Sequence, residues 1–136
     1  MARGLPIEAA MVAPIFSSDI YQLAGKLMNA ASLRQTAIAS NIANAETPGY
    51  RRVDLSPDFA TQLRASSENG TLAQAPEATL TEDRNARSIQ PDGNNVEIEH
   101  ELLAMNQSSV EFQYEADIIT SNIKQLKMAI SGQVGA

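Results

Sequence analysis

Hydrophobic residues in the last third of the chain recur at alternating steps of four and three. This spacing is typical of the a and d positions of a coiled coil, which line one face of a helix. It predicts one long helix over residues 95–131, followed at Gly132 by a short tail over residues 132–136. The predicted assembly seam consists of Ile98, Leu102, Met105, Ser109, Phe112, Ala116, Ile119, Ile123, Leu126 and Ile130.

The start of this helix carries its own signals. Asn94 with Glu97 three residues later has the spacing of a capping box, in which side chains occupy backbone N–H groups that the first helical turn leaves unpaired. Acidic residues then occupy the opening turns, and Lys124 and Lys127 lie near the end, as the helix dipole favours. These signals agree with the periodicity on a single long helix.

A weaker, alanine-rich stripe from Phe16 through Ile20 to Ile42 predicts a first long helix over residues 17–46. Pro48 lies just beyond it, and a proline both lacks an N–H and pushes the preceding residue out of the helical region. Gly49 then allows the chain to turn. The small residues of this stripe permit close approach of a second helix.

Residues 47–94 are polar and rich in Ser, Asn, Gly and Pro, with short apolar pieces that could form brief extended strands. The expected fold is mainly α, with two long terminal helices in an antiparallel coiled-coil-like hairpin joined by this irregular middle segment. We expect one structural domain, preceded by an N-terminal leader over residues 1–16.

Composition narrows the range of partners. The 136-residue chain carries a net charge of −6, so nucleic acid and anionic membranes are unfavourable partners. Only 4% of its residues are aromatic, which limits the core that it can build alone. Each predicted helix is roughly 45 to 55 Å long, more than a small domain needs. Long helices with little core of their own indicate a subunit that packs against neighbouring chains.

The sequence offers no machinery for catalysis. His100 is the single histidine and lies among glutamates, where an exposed helix face is the expected setting. No serine stands in a nucleophile motif with an oriented base, and a calcium loop starting at Asp92 would place Glu97 where glycine is required. With no cysteine there are no thiolate metal sites. We therefore expect no enzyme activity, no metal, no cofactor and no small-molecule substrate.

Residues 40–52 read SNIANAETPGYRR, and this segment resembles the signature near the N-terminus of flagellar rod, hook and hook-associated axial proteins. Two asparagines three residues apart share a helical face, the Thr-Pro-Gly step breaks the helix, and a tyrosine can anchor the turn. The matching positions are Asn41, Asn44, Thr47, Pro48, Gly49 and Tyr50. Arg51 and Arg52, just past the turn, are expected to meet the acidic start of the second long helix and to set the helix register.

Residues 92–130 are similar to the C-terminal helix of the proximal rod proteins within that family. The resemblance implies a structural subunit of the bacterial flagellar basal-body rod that transmits torque from the membrane ring to the distal rod and hook. The implied partners are copies of the chain itself, other flagellar rod proteins, the adaptor between the MS ring and the rod, and the flagellar type III export gate.

The resemblance also implies a periplasmic location in the basal body and export by the type III system without a cleavable signal peptide. Early substrates of that system are said to carry a phenylalanine followed four residues later by an apolar residue, and Phe16 with Ile20 fits this pattern. The alternative is that both residues simply face a helix core. Two other functions stay open: a sister protein of the proximal rod, and a coiled-coil export adaptor.

Overall fold

The computed structural model describes residues 18–86 and 89–132, and this part of the chain is mainly α-helical, as predicted. It contains three helices, a two-stranded sheet and a short 3-10 turn. In chain order these are α1 (Asp19–Ala43), β1 (Val53–Leu55), α2 (Asp58–Glu68), the 3-10 turn (Leu72–Gln74), β2 (Leu80–Glu82) and α3 (Ile98–Ser131).

Helix α1 buries a row of small residues. Ala24, Ala30, Ala31 and Ala37 are each at most 5% exposed, and Ile38 is the one large side chain buried with them. Because alanine side chains are short, the backbone of a second helix can come close to this face. Helix α3 packs here: the Ser108 hydroxyl donates to the main-chain carbonyl of Ala31 at 3.3 Å.

Helix α3 begins at Ile98, three residues later than predicted, and the capping-box prediction is wrong. Glu97 occupies the N-cap position in an extended conformation and makes no side-chain capping bond. Asn94 lies outside the helix because its side chain bonds instead to the turn after α1. The predicted end is confirmed, since Gly132 adopts the left-handed conformation with φ of 67°.

The middle of the chain is more ordered than the polar sequence suggested, and the expectation of an irregular segment is wrong for residues 58–68. Helix α2 directs Phe59 and Leu63, one turn apart, onto α1 at Ala30. Leu72 and Ala75 complete this small apolar core. The core forms because two segments that are each too polar to fold alone cover the same patch of α1.

The short strands are present as an antiparallel pair. Val53 lies opposite Glu82 and Leu55 opposite Leu80. Each strand has three residues, so the pair gains most of its stability from lying against α1 rather than from its own hydrogen bonds. The sheet holds the chain that follows the turn at Gly49 alongside the end of α1.

Helices α1 and α3 run in opposite directions where they contact each other. Asn41 contacts Glu101, whereas Ala31, ten residues earlier, contacts Ser108, seven residues later. At about 1.5 Å per residue, α1 is roughly 37 Å long and α3 roughly 51 Å. Within residues 18–86 and 89–132, no helix is long and apolar enough to cross a membrane.

Candidate assembly site at the signature turn and the helix faces

Asn41 sits at the centre of a buried polar cluster formed where α1, β1 and α3 meet. Its side chain is completely buried. The amide nitrogen donates to the Val53 carbonyl at 2.8 Å and to Glu101 at 3.0 Å. The amide oxygen accepts from the Val53 N–H at 2.9 Å and from the Tyr50 hydroxyl at 3.3 Å. All four bonds tie separate elements together, so one asparagine fixes the end of α1 to both the sheet and α3.

Two further asparagines, Asn44 and Asn94, close the turn. Asn44 donates from its side chain to the Ser40 carbonyl at 2.8 Å and accepts from the Thr47 hydroxyl at 3.2 Å. Asn94 is completely buried and lies in the segment that leads into α3. Its side chain donates to the main-chain carbonyls of Asn44 and Thr47 at 2.9 and 2.8 Å. The turn therefore takes its shape from the segment that leads into α3 as much as from its own sequence.

Gly49 and Gly93 bring two backbone segments into direct contact. Gly49 has φ of 73° and donates its N–H to the Asp92 carbonyl at 2.9 Å. Gly93 has φ of 88°, and a Cβ built on it would lie 3.5 Å from the Cα of Gly49. Both positions need the left-handed conformation that glycine adopts without strain. Pro48, beside them, is exposed and adds only the break after α1.

Tyr50 returns over the end of α1, as predicted for an anchor of the turn. Its hydroxyl lies 3.1 Å from the Ser40 hydroxyl and donates to Asn41. A phenol is long enough to span the turn and polar enough at its tip to join the buried network.

Arg52 and Glu101 form a buried ion pair next to Asn41. The guanidinium donates through Nε to Glu101, whose side chain is 0% exposed, and through its two Nη groups to Asp83 at 2.7 Å and Asp54 at 2.9 Å. The main-chain N–H of Arg52 donates to the Asn95 side chain at 2.6 Å. Burial opposes the positive charge, but the bonds to Glu101 and Asp54 outweigh it, and the pKa of Arg52 lies above its ordinary value.

The predicted meeting of the two arginines with the start of the last helix is confirmed for Arg52 and wrong for Arg51. Arg51 is exposed and lies 3.9 Å from Glu82 of β2. The Arg52 pair is buried rather than exposed. A buried pair contributes little net stability, because desolvation offsets attraction, but losing one partner leaves an uncompensated charge.

Sequence reasoning missed several residues of this cluster. Asn95, Asp54 and Asp83 carry no motif, and each looks like an ordinary surface residue, whereas Glu101 belongs to the acidic helix start that the arginines were expected to meet. The one available signal was the run Asp92 to Asn95 before the last helix, which holds three short polar side chains where a helix cap was expected. Their function in the fold is to bond the turn.

The first part of the predicted seam of α3 is rotated relative to the face that packs on α1. Glu101 and Ser108 are buried, and they lie beside the predicted row rather than on it. Ile98 and Leu102 are 43% and 52% exposed. Of the remaining seam residues, Ser109 and Ile130 are exposed, Ile130 at 61%; the half-buried ones are Met105, Phe112, Ala116, Ile119, Ile123 and Leu126.

An apolar strip lies on the outer side of α3. Leu103, Val110 and Tyr114 are spaced by seven and four residues, which places them on one face, and they are 56%, 70% and 67% exposed. This face is turned away from the buried Glu101 and Ser108. We refer to these three residues as the outer strip. Contiguous exposed apolar residues on a helix are typical of a protein contact surface.

The structure describes one of the two residues of the predicted export pattern. Phe16 lies outside the described residues. Ile20 is in the first turn of α1 and is 62% exposed, so it does not contribute to the core around Ala30. His100 also lies on the exposed side of its helix, as predicted.

The sequence of this chain is similar to those of flagellar basal body rod proteins. The family model for flagella basal body rod proteins matches residues 24–51, which span most of α1 and the turn. The chain is 33% identical over 119 residues to the flagellar basal body rod protein FlgB of Proteus mirabilis strain HI4320, covering 74% of this chain and 84% of that protein. FlgB of Escherichia coli K12 is 30% identical over 115 residues, with coverage of 71% and 82%. FlgB of Agrobacterium fabrum C58 is 27% identical over 124 residues, with coverage of 82% and 92%.

The family model covers the turn, and the three relatives cover between 71% and 82% of this chain. The chain therefore belongs to the flagellar basal body rod protein family and is a structural rod subunit. Within that family it is of the FlgB type.

Proposed function

We propose that this chain builds the proximal part of the flagellar rod by packing its two terminal helices against those of neighbouring subunits. Within one chain, α1 and α3 form an antiparallel coiled-coil-like hairpin whose register is set by the Arg52–Glu101 pair. Between chains, the apolar residues that this hairpin leaves exposed are covered by other subunits. The outer strip is the observation that carries this proposal.

The distribution of residues on α3 supports packing on more than one side. One face meets α1 through polar and small groups, Glu101 and Ser108. The outer strip and the exposed part of the seam, including Leu102 and Ile130, remain for neighbours. A helix with apolar residues on several sides is stable when it lies inside a bundle. Torque then passes through side-by-side helices and does not rely on a hinge.

The proposed partners are copies of this chain, other rod proteins, and at the base of the rod the adaptor to the MS ring and the type III export gate. The location is the periplasmic part of the basal body. The FlgB type of the family supports these assignments, since its members carry the name of basal body rod proteins. The signature residues Asn41, Asn44 and Tyr50 act within each subunit by fixing the turn, and the seam residues act with the outer strip in packing.

Charge placed on the outer strip tests the proposal. A Leu103→Glu/Val110→Glu chain should keep its helical content by far-ultraviolet circular dichroism, because both positions are exposed, yet be absent from isolated basal bodies and leave cells non-motile in soft agar. Gln74→Glu, an exposed residue of the 3-10 turn, is the control and should incorporate normally. Normal incorporation of the double variant would overturn the proposal.

Export by the type III system has a separate test. We propose that Phe16 and Ile20 are read by the export apparatus. Ile20→Ala should slow secretion while leaving the circular-dichroism melt unchanged, because Ile20 lies outside the core. Phe16→Ala should slow secretion equally. Secretion of both variants at the normal rate would remove this assignment without affecting the assignment of the rod subunit.

A further inference from the structure

A groove of about 630 Å³ runs between α1, α2 and the middle of α3. Its floor is apolar and is formed by Leu23 and Leu27 of α1 with Phe59 and Leu63 of α2. Its α3 wall is acidic, because Glu111 and Glu115 face it one turn apart. The Arg34 guanidinium at the rim lies 3.4 Å from Asp54 and 3.6 Å from Glu111, so its charge is divided between two carboxylates. The groove thus combines an apolar floor with an acidic wall.

Glu115 is the unbalanced group in this wall. One of its carboxylate oxygens is buried and has no hydrogen-bond partner among the described residues. Burial, together with the neighbouring charge of Glu111, raises the pKa of this carboxyl. A buried acceptor without a donor is unfavourable, and a cation placed beside this carboxyl by another chain would offset its charge.

The far end of α3 has the complementary character. With Asn41 opposite Glu101 and Ala31 opposite Ser108, Asp19 at the start of α1 falls opposite about residues 120 to 123 of α3. Beyond that point no described residue of α1 runs beside α3. The turns beyond that point carry Lys124 and, four residues later, Met128 on one exposed face, and Lys127 is exposed beside this face.

We propose that the protruding end of α3 of one subunit docks in this groove of a second copy of the chain, with Lys124 meeting Glu115 and Met128 on the apolar floor. This contact rests on the proposed function and names its partner. Met128 is 43% exposed in the single chain, and its flexible side chain suits an apolar floor built from several elements. Arg64 and Glu68 of α2 also line the groove, one helical turn apart.

The contact joins two different surfaces, so each subunit has one free groove and one free helix end. Such heterologous contacts generate rings or open helical arrays rather than closed dimers. A rod requires an array of this kind. In the copy that inserts its α3 end, the outer strip lies on the same side of α3 as Lys124 and Met128. The contact in the groove and the contact through the outer strip therefore use one continuous side of that helix.

Cross-linking tests the contact directly, because the natural chain has no cysteine. Cells would produce Met128→Cys and Ser67→Cys chains together, Ser67 being an exposed residue of the groove, and isolated basal bodies would be treated with a short bis-maleimide. We expect a product at twice the 14.6 kDa of the chain. Met128→Cys with Ser32→Cys, an exposed α1 residue outside the groove, is the matched control and should give none.

Exchanging the charges of Glu115 and Lys124 distinguishes a specific pairing from a general loss of structure. Glu115→Lys or Lys124→Glu alone places like charges together and should lower the cross-linked yield at least about tenfold. The Glu115→Lys/Lys124→Glu chain restores an opposite pair in every contact and should recover most of the yield. Recovery identifies the pairing even if one single variant folds poorly, whereas a double variant that stays as low as the single variants overturns it.

The cross-linking experiment gives a different result if another segment or another protein occupies the groove. A Met11→Cys/Ser67→Cys chain that cross-links within itself would assign the groove to the chain's own N-terminal residues, and a product of a different mass would assign it to another rod protein. Either result overturns the contact between copies. Absence of the unmodified chain from basal bodies would overturn the proposed function instead, so the two failures are distinguishable.

Discussion

Replacing Arg52 with alanine removes the cation at the centre of the buried polar cluster. Glu101 then keeps a negative charge at a completely buried position, with the Asn41 amide as its one remaining donor in the described structure. Asp54 and Asp83 lose the same partner, but their side chains are 29% and 22% exposed, so water can solvate them. The cost is therefore concentrated on one carboxylate.

The expected loss of unfolding free energy is about 3 to 5 kcal/mol, which is typical when one member of a buried ion pair is removed. The two aspartates should contribute less than about 1 kcal/mol to it, as exposed pairs do. Such a loss is a large share of the stability of a chain this size.

Arg51→Ala is the matched control, because Arg51 has the same chemistry one residue away and is exposed beside Glu82. It should cost less than about 0.5 kcal/mol. The measurement is urea unfolding at neutral pH followed by far-ultraviolet circular dichroism. An Arg52→Met/Glu101→Leu chain should be more stable than Arg52→Ala, because no buried charge is left without a partner.

Equal losses in the two single arginine variants would refute the reasoning, since burial would then make no difference. A double variant that is less stable than Arg52→Ala would also refute it, because the cost would come from lost packing rather than from the stranded carboxylate.

Three further outcomes are expected from the same unfolding assay. Leu72→Ala should cost about 2 to 5 kcal/mol because Leu72 is 2% exposed, whereas Leu103→Ala, at 56% exposed, should stay within about 0.5 kcal/mol. Asn94→Ala should cost about 1 to 3 kcal/mol by leaving two turn carbonyls without their donor, and a cost near zero would show that water replaces the amide. The raised pKa of Glu115 means that the folded chain holds this proton more tightly than the unfolded chain, so ionisation destabilises the fold above the folded pKa. Glu115→Gln should therefore be more stable than the natural chain at neutral pH, and the gap should close as pH falls through the raised pKa towards the ordinary 4.5; a gap that is independent of pH would contradict this.

The long helices were predictable because their signals are repeated over many residues. Helix α3 spans Ile98–Ser131 against a prediction of residues 95–131, and α1 spans Asp19–Ala43 against 17–46. The difference at the start of α3 has a local cause: Asn94 bonds to the turn carbonyls instead of capping the helix. Such a bond depends on a segment fifty residues away, which local sequence patterns do not contain.

The buried face of α3 was harder to predict than the helix itself. Hydrophobic spacing favoured the row through Leu102, whereas the packed face carries Glu101 and Ser108. A polar residue can be buried only when its partners are present, and the partners of Glu101 are Arg52 and Asn41 on other elements. Hydrophobic spacing therefore follows the packed side of α3 from Met105 to Leu126 and departs from it at Ile98 and Leu102.

Helix α2 was missed because its signal is short. Within Asp58–Glu68, Phe59 and Leu63 are the buried residues, and eleven residues make a helix that is marginal by itself. Its stability comes from docking on Ala30, which the local sequence does not reveal. The signature turn was the opposite case, because Asn41 and Tyr50 are recognisable as a motif even though their bonds are not.

The Arg52–Glu101 pair also bears on how α1 and α3 respond to force along their axes. Sliding α3 by one residue along its own helical path moves Glu101 about 1.5 Å and rotates it by about 100°, away from both Arg52 and Asn41. No neighbouring position offers a second carboxylate in the same place, since Leu102 follows and His100 precedes it. A slide by one residue therefore leaves Arg52 without this partner, and the nearest carboxylate on the same face is Glu97, one helical turn away. Under shear the two helices should hold their alignment up to a threshold load and then slip as a unit, which makes the subunit stiff at low load and gives its failure a definite yield point.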